Sequence, residues 1–243
     1  MAPLIEVRNL RYRYPDGTPA LRGIDFQLSG GETVILLGRN GSGKTTFVLH
    51  LNGLLQGEGE IRVCGLSMEK RNLREIRRRI GVVFQEADEQ LFMPTVIEDV
   101  AYGPLNLGNT PLQARETALC TLKDTGLEGC RDKAPYHLSA GEKRRAALAG
   151  VLAMRPDILI LDEPTTSLDP PGQTDLVRLL AALPQAKIIT THDTGLARAL
   201  GGRAVFFEDG KIVAEGGVEE LIHRFDWEPH HHWSNSARST GDR

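Results

Sequence analysis

Cysteine is scarce and irregularly placed in this sequence. Cys64, Cys120 and Cys130 are an odd number, and no two share the C-x-x-C spacing of a zinc site or a redox pair. A disulfide-stapled secreted scaffold is thereby disfavoured, and a reducing cytoplasm fits best. Long apolar runs are also missing. The longest, Ala146 to Met154, spans nine residues, against the ~20 needed to cross a bilayer as a helix. Any membrane role is expected to come through a partner. The opening Met1-Ala2-Pro3-Leu4-Ile5-Glu6 has no basic stretch followed by an apolar core, so no export signal is expected. Charge of one sign is lacking too: 29 Lys and Arg against 32 Asp and Glu leave a net charge of -3. With both signs interspersed, nucleic acid is not expected as a partner. The one basic cluster, Arg74, Arg77, Arg78 and Arg79, reads as a solvated helix face. Internal repeats are absent.

Glycine is present where it carries meaning. The apolar stretch Thr33-Val34-Ile35-Leu36-Leu37 runs into Gly38-Arg39-Asn40-Gly41-Ser42-Gly43-Lys44-Thr45-Thr46, after which the sequence becomes helix-compatible. A strand, a glycine turn and a helix in that order form a phosphate cradle. Glycines let backbone N–H groups approach a polyphosphate, and the helix turns its partially positive end to the same anion. Lys44 adds a full charge near the terminal phosphates, and the Thr45 hydroxyl is placed to hold Mg²⁺.

The length of 243 residues, 40% hydrophobic and 25% charged, suits one large domain carrying an embedded subdomain. Short strands are expected at 4–9, 24–28, 33–38 and 60–64. Later ones are expected at Ile80–Gln85, Ile158–Asp162, Lys187–Thr191 and Arg203–Glu208, separated by helix-length segments that imply a parallel core sheet. Between Glu86 and Asp157 no strand stands out, and the apolar spacing through Leu112–Leu122 and Ala146–Met154 is helical. The expected organisation is a nucleotide-binding core over 1–85 and 158–225 with a mainly helical subdomain over 86–157. A polar tail follows at 226–243. Its His230, His231 and His232 are adjacent, so they alternate direction in an extended chain, which disfavours a metal site.

Two further segments carry chemistry. Ile158-Leu159-Ile160-Leu161-Asp162-Glu163 is a buried-looking strand ending in two carboxylates, where open α/β sheets place functional groups. Asp162 is expected to complete the Mg²⁺ shell opposite Thr45. Glu163, one residue on, is expected to face the attacking water as general base. Leu138-Ser139-Ala140-Gly141-Glu142 introduces a long helix, so Ser139 and the amides after it read either as a second phosphate site or as an ordinary helix cap.

Together these motifs resemble an ATP-binding-cassette ATPase over about Leu4 to Leu221, with Walker A at Gly38–Thr45, Walker B ending at Asp162 and a signature at Leu138–Glu142. The resemblance implies an α/β P-loop NTPase fold with a mixed parallel sheet, an N-terminal antiparallel β region and an inserted α-helical subdomain. It implies ATP and Mg²⁺ as cofactors. Residue by residue, it makes Gln85 the Q-loop glutamine touching Mg²⁺ and the attacking water. Ser167, Leu168 and Asp169 become the D-loop, His192 the switch histidine on the γ-phosphate, and Tyr14 the aromatic that stacks on adenine. The signature departs from the family's commonest LSGGQ form at Ala140 and Glu142. In that family the signature acts in trans, which implies a homodimer, or a heterodimer with a related ATPase, sandwiching two nucleotides.

The segment Phe84 to Phe92, with Gly103-Pro104-Leu105-Asn106-Leu107-Gly108 after it, is similar to the Q-loop region of energy-coupling-factor importers, most of all their cobalt and nickel branch. The implied setting is the cytoplasmic face of a membrane, bound to integral transporter subunits. A vitamin importer of the same class is the alternative. A soluble mechanical ATPase stays open as a different class, although the sequence has neither long coiled-coil insertions nor a second cassette. A GTPase would want an N-K-x-D motif, and none occurs.

Overall fold

The computed structural model describes residues 2–227. Alternating burial sets the β architecture. In β1 (Ile5–Arg13), β2 (Pro19–Leu28) and β3 (Thr33–Leu37), followed by helix α1 (Lys44–Leu51), then β4 (Glu58–Val63) and β5 (Leu66–Ser67), two sheets begin to form. The smaller is antiparallel, ordered β2-β1-β4-β5. It turns one face to a core of Ile5, Val7, Leu10, Ile24, Phe26 and Leu28 and the other to solvent, the pattern of a half-covered antiparallel sheet.

The chain continues through α2 (Leu73–Arg79), β6 (Ile80–Val83), α3 (Val96–Asn106), α4 (Pro111–Asp124), α5 (Ala140–Leu152), β7 (Ile158–Asp162), α6 (Pro170–Ala182), β8 (Ala186–Thr190), α7 (Thr194–Leu200), β9 (Arg203–Glu208), β10 (Lys211–Gly217) and α8 (Val218–Arg224). The larger sheet is ordered β10-β9-β3-β8-β7-β6. Its β9, β3, β8, β7 and β6 are parallel, and β10 adds an antiparallel edge. Both faces of the central strands are buried. Val34 and Leu36, Ile158 and Ile160 enter the core shared with the small sheet and α1. Ile35 and Leu37, Leu159 and Leu161 enter a second core with α5, α6, α7 and α8. Near-continuous apolar runs at 33–37 and 158–161 are what two-sided burial requires.

A third core contains no strand and is built mainly from Val96, Val100, Ala114, Ala118, Leu122, Ala146 and Ala149 of α3, α4 and α5. Small alanines at the crossings let these helices pack closely. The mixed parallel sheet, the antiparallel β region and the helical lobe agree with the architecture that the resemblance implies. Several local expectations are corrected. The strand expected over Ile80–Gln85 stops at Val83, because Phe84 donates its amide to the Gln90 side chain instead of a neighbouring strand. The strand expected at 24–28 begins at Pro19, β10 is an edge strand that the sequence pattern does not predict, and α3 lies within the segment expected to be mainly helical. The basic cluster is not merely a solvated face: Arg77 bonds the carbonyls of Asn52 and Gly53 at 3.2 and 3.1 Å, and Arg79 pairs with Glu75 and Asp157. The tail histidines lie outside the described residues.

Candidate active site

Three adjacent parallel strands, β3, β8 and β7, end side by side, and the site is built on those ends. After β3 the backbone makes a turn that only glycine permits at two positions. Gly38 has φ 137°, and a Cβ there would sit 2.3 Å from the Phe207 carbonyl; Gly43 has φ 106°, with a Cβ 2.8 Å from the Ala20 carbonyl. Arg39, Asn40, Gly41 and Ser42 fill the turn, and α1 starts at Lys44 with Thr45 and Thr46 in its first turn. The Lys44 ammonium is buried and donates to the carbonyls of Gly38 at 2.6 Å and Arg39 at 3.1 Å. Burial lowers its pKa, and the nearby Glu163 and Asp162 charges oppose that shift. A cation is thus stored inside the loop that would surround a polyphosphate.

Both carboxylates at the end of β7 are buried, Asp162 at 5% and Glu163 at 8% exposure. The Thr45 hydroxyl lies 3.5 Å from Asp162 Oδ1. Thr190, at the end of β8 and fully buried, donates its hydroxyl to the same Asp162 oxygen. The Thr190 hydroxyl and carbonyl also accept from the Glu163 amide, at 3.1 and 3.0 Å. That grip holds Glu163 at φ 46°, a left-handed conformation uncommon outside glycine. The strand ends there, so Glu163 departs from the ladder instead of alternating across it. Its Oε2 accepts from the His192 ring at Nδ1, 2.8 Å away, and from the His192 amide at 3.3 Å. The structure therefore brings Lys44, Thr45, Asp162, Glu163 and His192 together from positions up to 148 residues apart. Thr190 escaped the sequence reading; a threonine closing an apolar strand beside His192 is the only signal it leaves.

Hard oxygen donors are what Mg²⁺ prefers, and the hydroxyl of Thr45 facing the carboxylate of Asp162 fits such an ion. Gln85 sits just past β6, and its carbonyl accepts from Arg144 Nη2 at 2.5 Å, while the Phe84 carbonyl accepts from Nη1 at 2.6 Å. Arg144 is buried on α5 and was also missed, since an arginine in a basic stretch gives no sign of facing inward. Gln90 completes this corner. Its side-chain amide donates to the Val82 carbonyl at 2.9 Å and accepts from Phe84, covering the exposed edge of β6 as another strand would.

Tyr14 is 38% exposed and holds the Thr46 hydroxyl at 2.7 Å through its own. Ser167 adopts φ 66°, Leu168 packs on the second core, and Asp169 caps α6 by accepting from the Gly172 amide at 3.0 Å.

Leu138, Ser139, Ala140, Gly141 and Glu142 open α5 in the helical lobe. Ser139 is the cap residue and accepts from the Glu142 amide at 3.2 Å; Glu142 folds back and accepts from the Ser139 amide at 2.8 Å. This reciprocal arrangement is a capping box. The Cys130 thiol also donates to Glu142, at 3.1 Å, and Lys133 lies 3.7 Å away. The carboxylate of Glu142 is thereby turned toward its own helix. The Ser139 amide, the Cys130 thiol and Lys133 hold its pKa down at about 2. The cleft at the mouth of the glycine loop is lined by Arg39, Asn40, Ser42, His192, Phe206 and Trp227 among others, and by no residue of 138–142.

Among known proteins, the family model described as ABC transporter matches residues 21–166. The energy-coupling factor transporter ATP-binding protein EcfA of Methanocaldococcus jannaschii is 45% identical over 225 residues, 90% of this chain and 81% of that protein. The structure of CbiO1 from Clostridium perfringens, described as part of the ABC transporter complex cbiONQ, superposes with a TM-score of 0.83 at 35% identity, covering 93% of each chain. A dimeric post-hydrolysis state of the ATP-binding cassette MJ0796, bound to ADP and Pi, superposes with a TM-score of 0.78 at 29% identity, covering 88% of this chain and 98% of that one. With the glycine loop, the paired carboxylates and the fold in agreement, the chain belongs to the ABC transporter family, as an ATP-binding subunit whose activity is ATP hydrolysis.

Proposed function

We propose that this chain is the motor of a membrane importer, that two cassettes work as a pair, and that the cargo is a cobalt or nickel ion. The observation that carries the paired reading is the separation of the two anion sites. The glycine loop meets the carboxylates where Thr45 faces Asp162 and where the Lys44 charge lies near Asp162 and Glu163, whereas Ser139 and Gly141 head α5, whose Ala146 and Ala149 belong to the helical core of the other lobe. A second cassette, in the manner of the dimeric MJ0796 structure, would bring its signature against the phosphates.

In this reading the residues divide the work of positioning and charge neutralisation that phosphoryl transfer demands. Gly38 to Thr46 bind the phosphates through backbone amides and Lys44. Thr45 and Asp162, with Gln85, would hold Mg²⁺, which when bound neutralises charge on the phosphates. Glu163 orients the attacking water and takes its proton, and His192, already bonded to Glu163, fixes that carboxylate and reaches toward the γ-phosphate. Leu138 to Glu142 and the loop Ser167 to Asp169 contribute across the pair.

Coupling to a membrane partner is supported by a groove between the lobes. Phe92 and Tyr102 are 62% and 43% exposed, meet edge to face at 5.0 Å, and are rimmed by Arg74, Arg77 and Arg78. Exposed aromatics at an apolar groove mark protein-binding surface. No helix among the described residues is long and apolar enough to cross a membrane, which is consistent with peripheral attachment at the cytoplasmic face. Cobalt or nickel as cargo rests on the likeness to CbiO1 and on the Gln-Leu-Phe and Gly-Pro-Leu-Asn-Leu-Gly segments; a vitamin is the competing cargo, as an energy-coupling factor. The paired reading is tested with Glu163→Gln, which keeps ATP bound by removing the base. In MgATP this variant should elute from gel filtration at twice the monomer mass; a monomer under saturating MgATP would refute the paired mechanism. Uptake of labelled cobalt and nickel, compared with labelled vitamins, by cells carrying the complete transporter decides the cargo.

A further inference from the structure

Thr46 is gripped from two sides. Its hydroxyl bonds the Tyr14 hydroxyl at 2.7 Å, and its carbonyl bonds Nδ1 of His50, one turn further along α1, also at 2.7 Å. A carbonyl only accepts, so Nδ1 carries the proton; burial lowers the ring's pKa and favours the neutral form, which has a bare lone pair at Nε2. His50 is fully buried, and Nε2 has no hydrogen-bond partner among the described residues. Gly57 closes over it: a Cβ at residue 57 would lie 3.2 Å from Nε2 and 2.4 Å from the Arg11 carbonyl. Burying an unmet acceptor is unfavourable, and an aliphatic side chain would fill this place without that cost. What the histidine adds is a donor on one side and a flat ring on the other.

The ring is in use. His50 meets Tyr12 edge to face, with centroids 4.7 Å apart and planes at 72°. Tyr12 meets Tyr14 in the same manner, at 5.2 Å and 79°. Edge-to-face contacts are directional, because the positive rim of one ring seeks the negative face of the next. Thr46, His50, Tyr12 and Tyr14 thus form a closed circuit joining the end of β1 to the helix that starts at the phosphate cradle.

We propose that His50 and Tyr12 are positioning residues for adenine recognition: the circuit fixes the ring of Tyr14 relative to α1, so that the base is received at a set distance from the phosphates. This rests on the reading of Tyr14 as the platform for the base, and it adds two residues that touch neither base nor phosphate. Damage to the phosphate loop and loss of the platform differ in one respect. The first weakens every polyphosphate, and the second weakens only ligands that carry a base.

The test is a titration of the full chain with MgATP and, separately, with magnesium inorganic triphosphate. Its variants are Tyr14→Ala, Tyr12→Leu and His50→Asn. Asparagine keeps a donor near the position of Nδ1 and removes the ring; Tyr12 is only partly buried, so its replacement guards against a misfolded histidine variant. Each variant should bind ATP about 2- to 10-fold more weakly, the range expected of one directional aromatic contact, with triphosphate affinity unchanged. Tyr12→Leu should add nothing on top of Tyr14→Ala. If Tyr14→Ala is selective for ATP but Tyr12→Leu and His50→Asn weaken both ligands equally, or neither, the circuit does not position the base and the inference falls alone. Equal losses for both ligands in Tyr14→Ala itself would remove the platform reading and the inference with it.

Discussion

Thr190 has one hydroxyl and uses it twice, donating to Asp162 and accepting from the Glu163 amide. Valine has the same shape and neither capacity. Thr190→Val should therefore fold and bind ATP as before, while its turnover falls about 10-fold, the equivalent of one lost hydrogen bond at ~1.4 kcal/mol. Steady-state kinetics with an unchanged KM is the check, and a raised KM with full turnover would assign Thr190 to binding. Glu142 offers a second test. Its carboxyl is held at about 2 against an ordinary 4.5, so the folded state binds its proton less readily than the unfolded chain. Its stabilising contribution is complete above the unfolded value and is lost as pH falls through 4.5 toward 2. Glutamine can keep the bond from the Ser139 amide without the charge. Glu142→Gln should leave neutral-pH ATPase activity within about fivefold, since one capping charge is worth ~1 kcal/mol or less. In urea titrations its small stability deficit at pH 7 should vanish by pH 2.

At the scale of elements, the segment between β6 and α3 has few apolar anchors and is held by polar ones. Arg144 reaches from α5 to the carbonyls of Phe84 and Gln85, Lys143 from the same helix meets Asp88 at 2.7 Å, and Gln90 binds the edge of β6. The helix headed by the signature is thereby tied to the residue expected to sense Mg²⁺ and water. Arg144→Leu would fill the space but leave two carbonyls without their donor. A buried orphan costs about 1–3 kcal/mol; Phe84 is partly buried and Gln85 exposed, so the Phe84 carbonyl carries most of the loss and the urea midpoint should drop. ATPase activity should fall further than the lost stability accounts for, because Gln85 loses its tether. Activity that merely tracks the folded fraction would make Arg144 a packing residue only.

Across the whole molecule, Phe92 and Tyr102 stand exposed at one apolar groove, while the paired carboxylates and the glycine loop lie at the strand ends. Replacing Phe92 and Tyr102 together by serine should weaken co-purification with the proposed membrane partner about 10-fold or more, as loss of aromatic anchors commonly does. MgATP affinity of the isolated chain should not move. A pull-down and a nucleotide titration on the same preparation separate the two, and a fall in both would place the groove's role inside the cassette.

The phosphate cradle, the strand ending at Asp162 and the cap at Ser139 were legible because each is a local pattern. Only glycine tolerates the backbone at Gly38 and Gly43, only a two-sided strand reads as the unbroken apolar run 158–161, and a Ser three residues ahead of a Glu announces a helix start. Roles set by distant neighbours were not legible. Thr190, Arg144, Gln90 and His50 are ordinary residue types in ordinary stretches until folding sets them beside Asp162, Gln85, Val82 and Tyr12. The linear chain thus determined which backbone turns and charges could meet a nucleotide, since those depend on the allowed dihedrals and burial of a few consecutive residues. The tertiary structure alone decided which polar groups hold that chemistry in place, because a hydrogen bond between residues 28 or 60 positions apart exists only once the sheet and helices have packed.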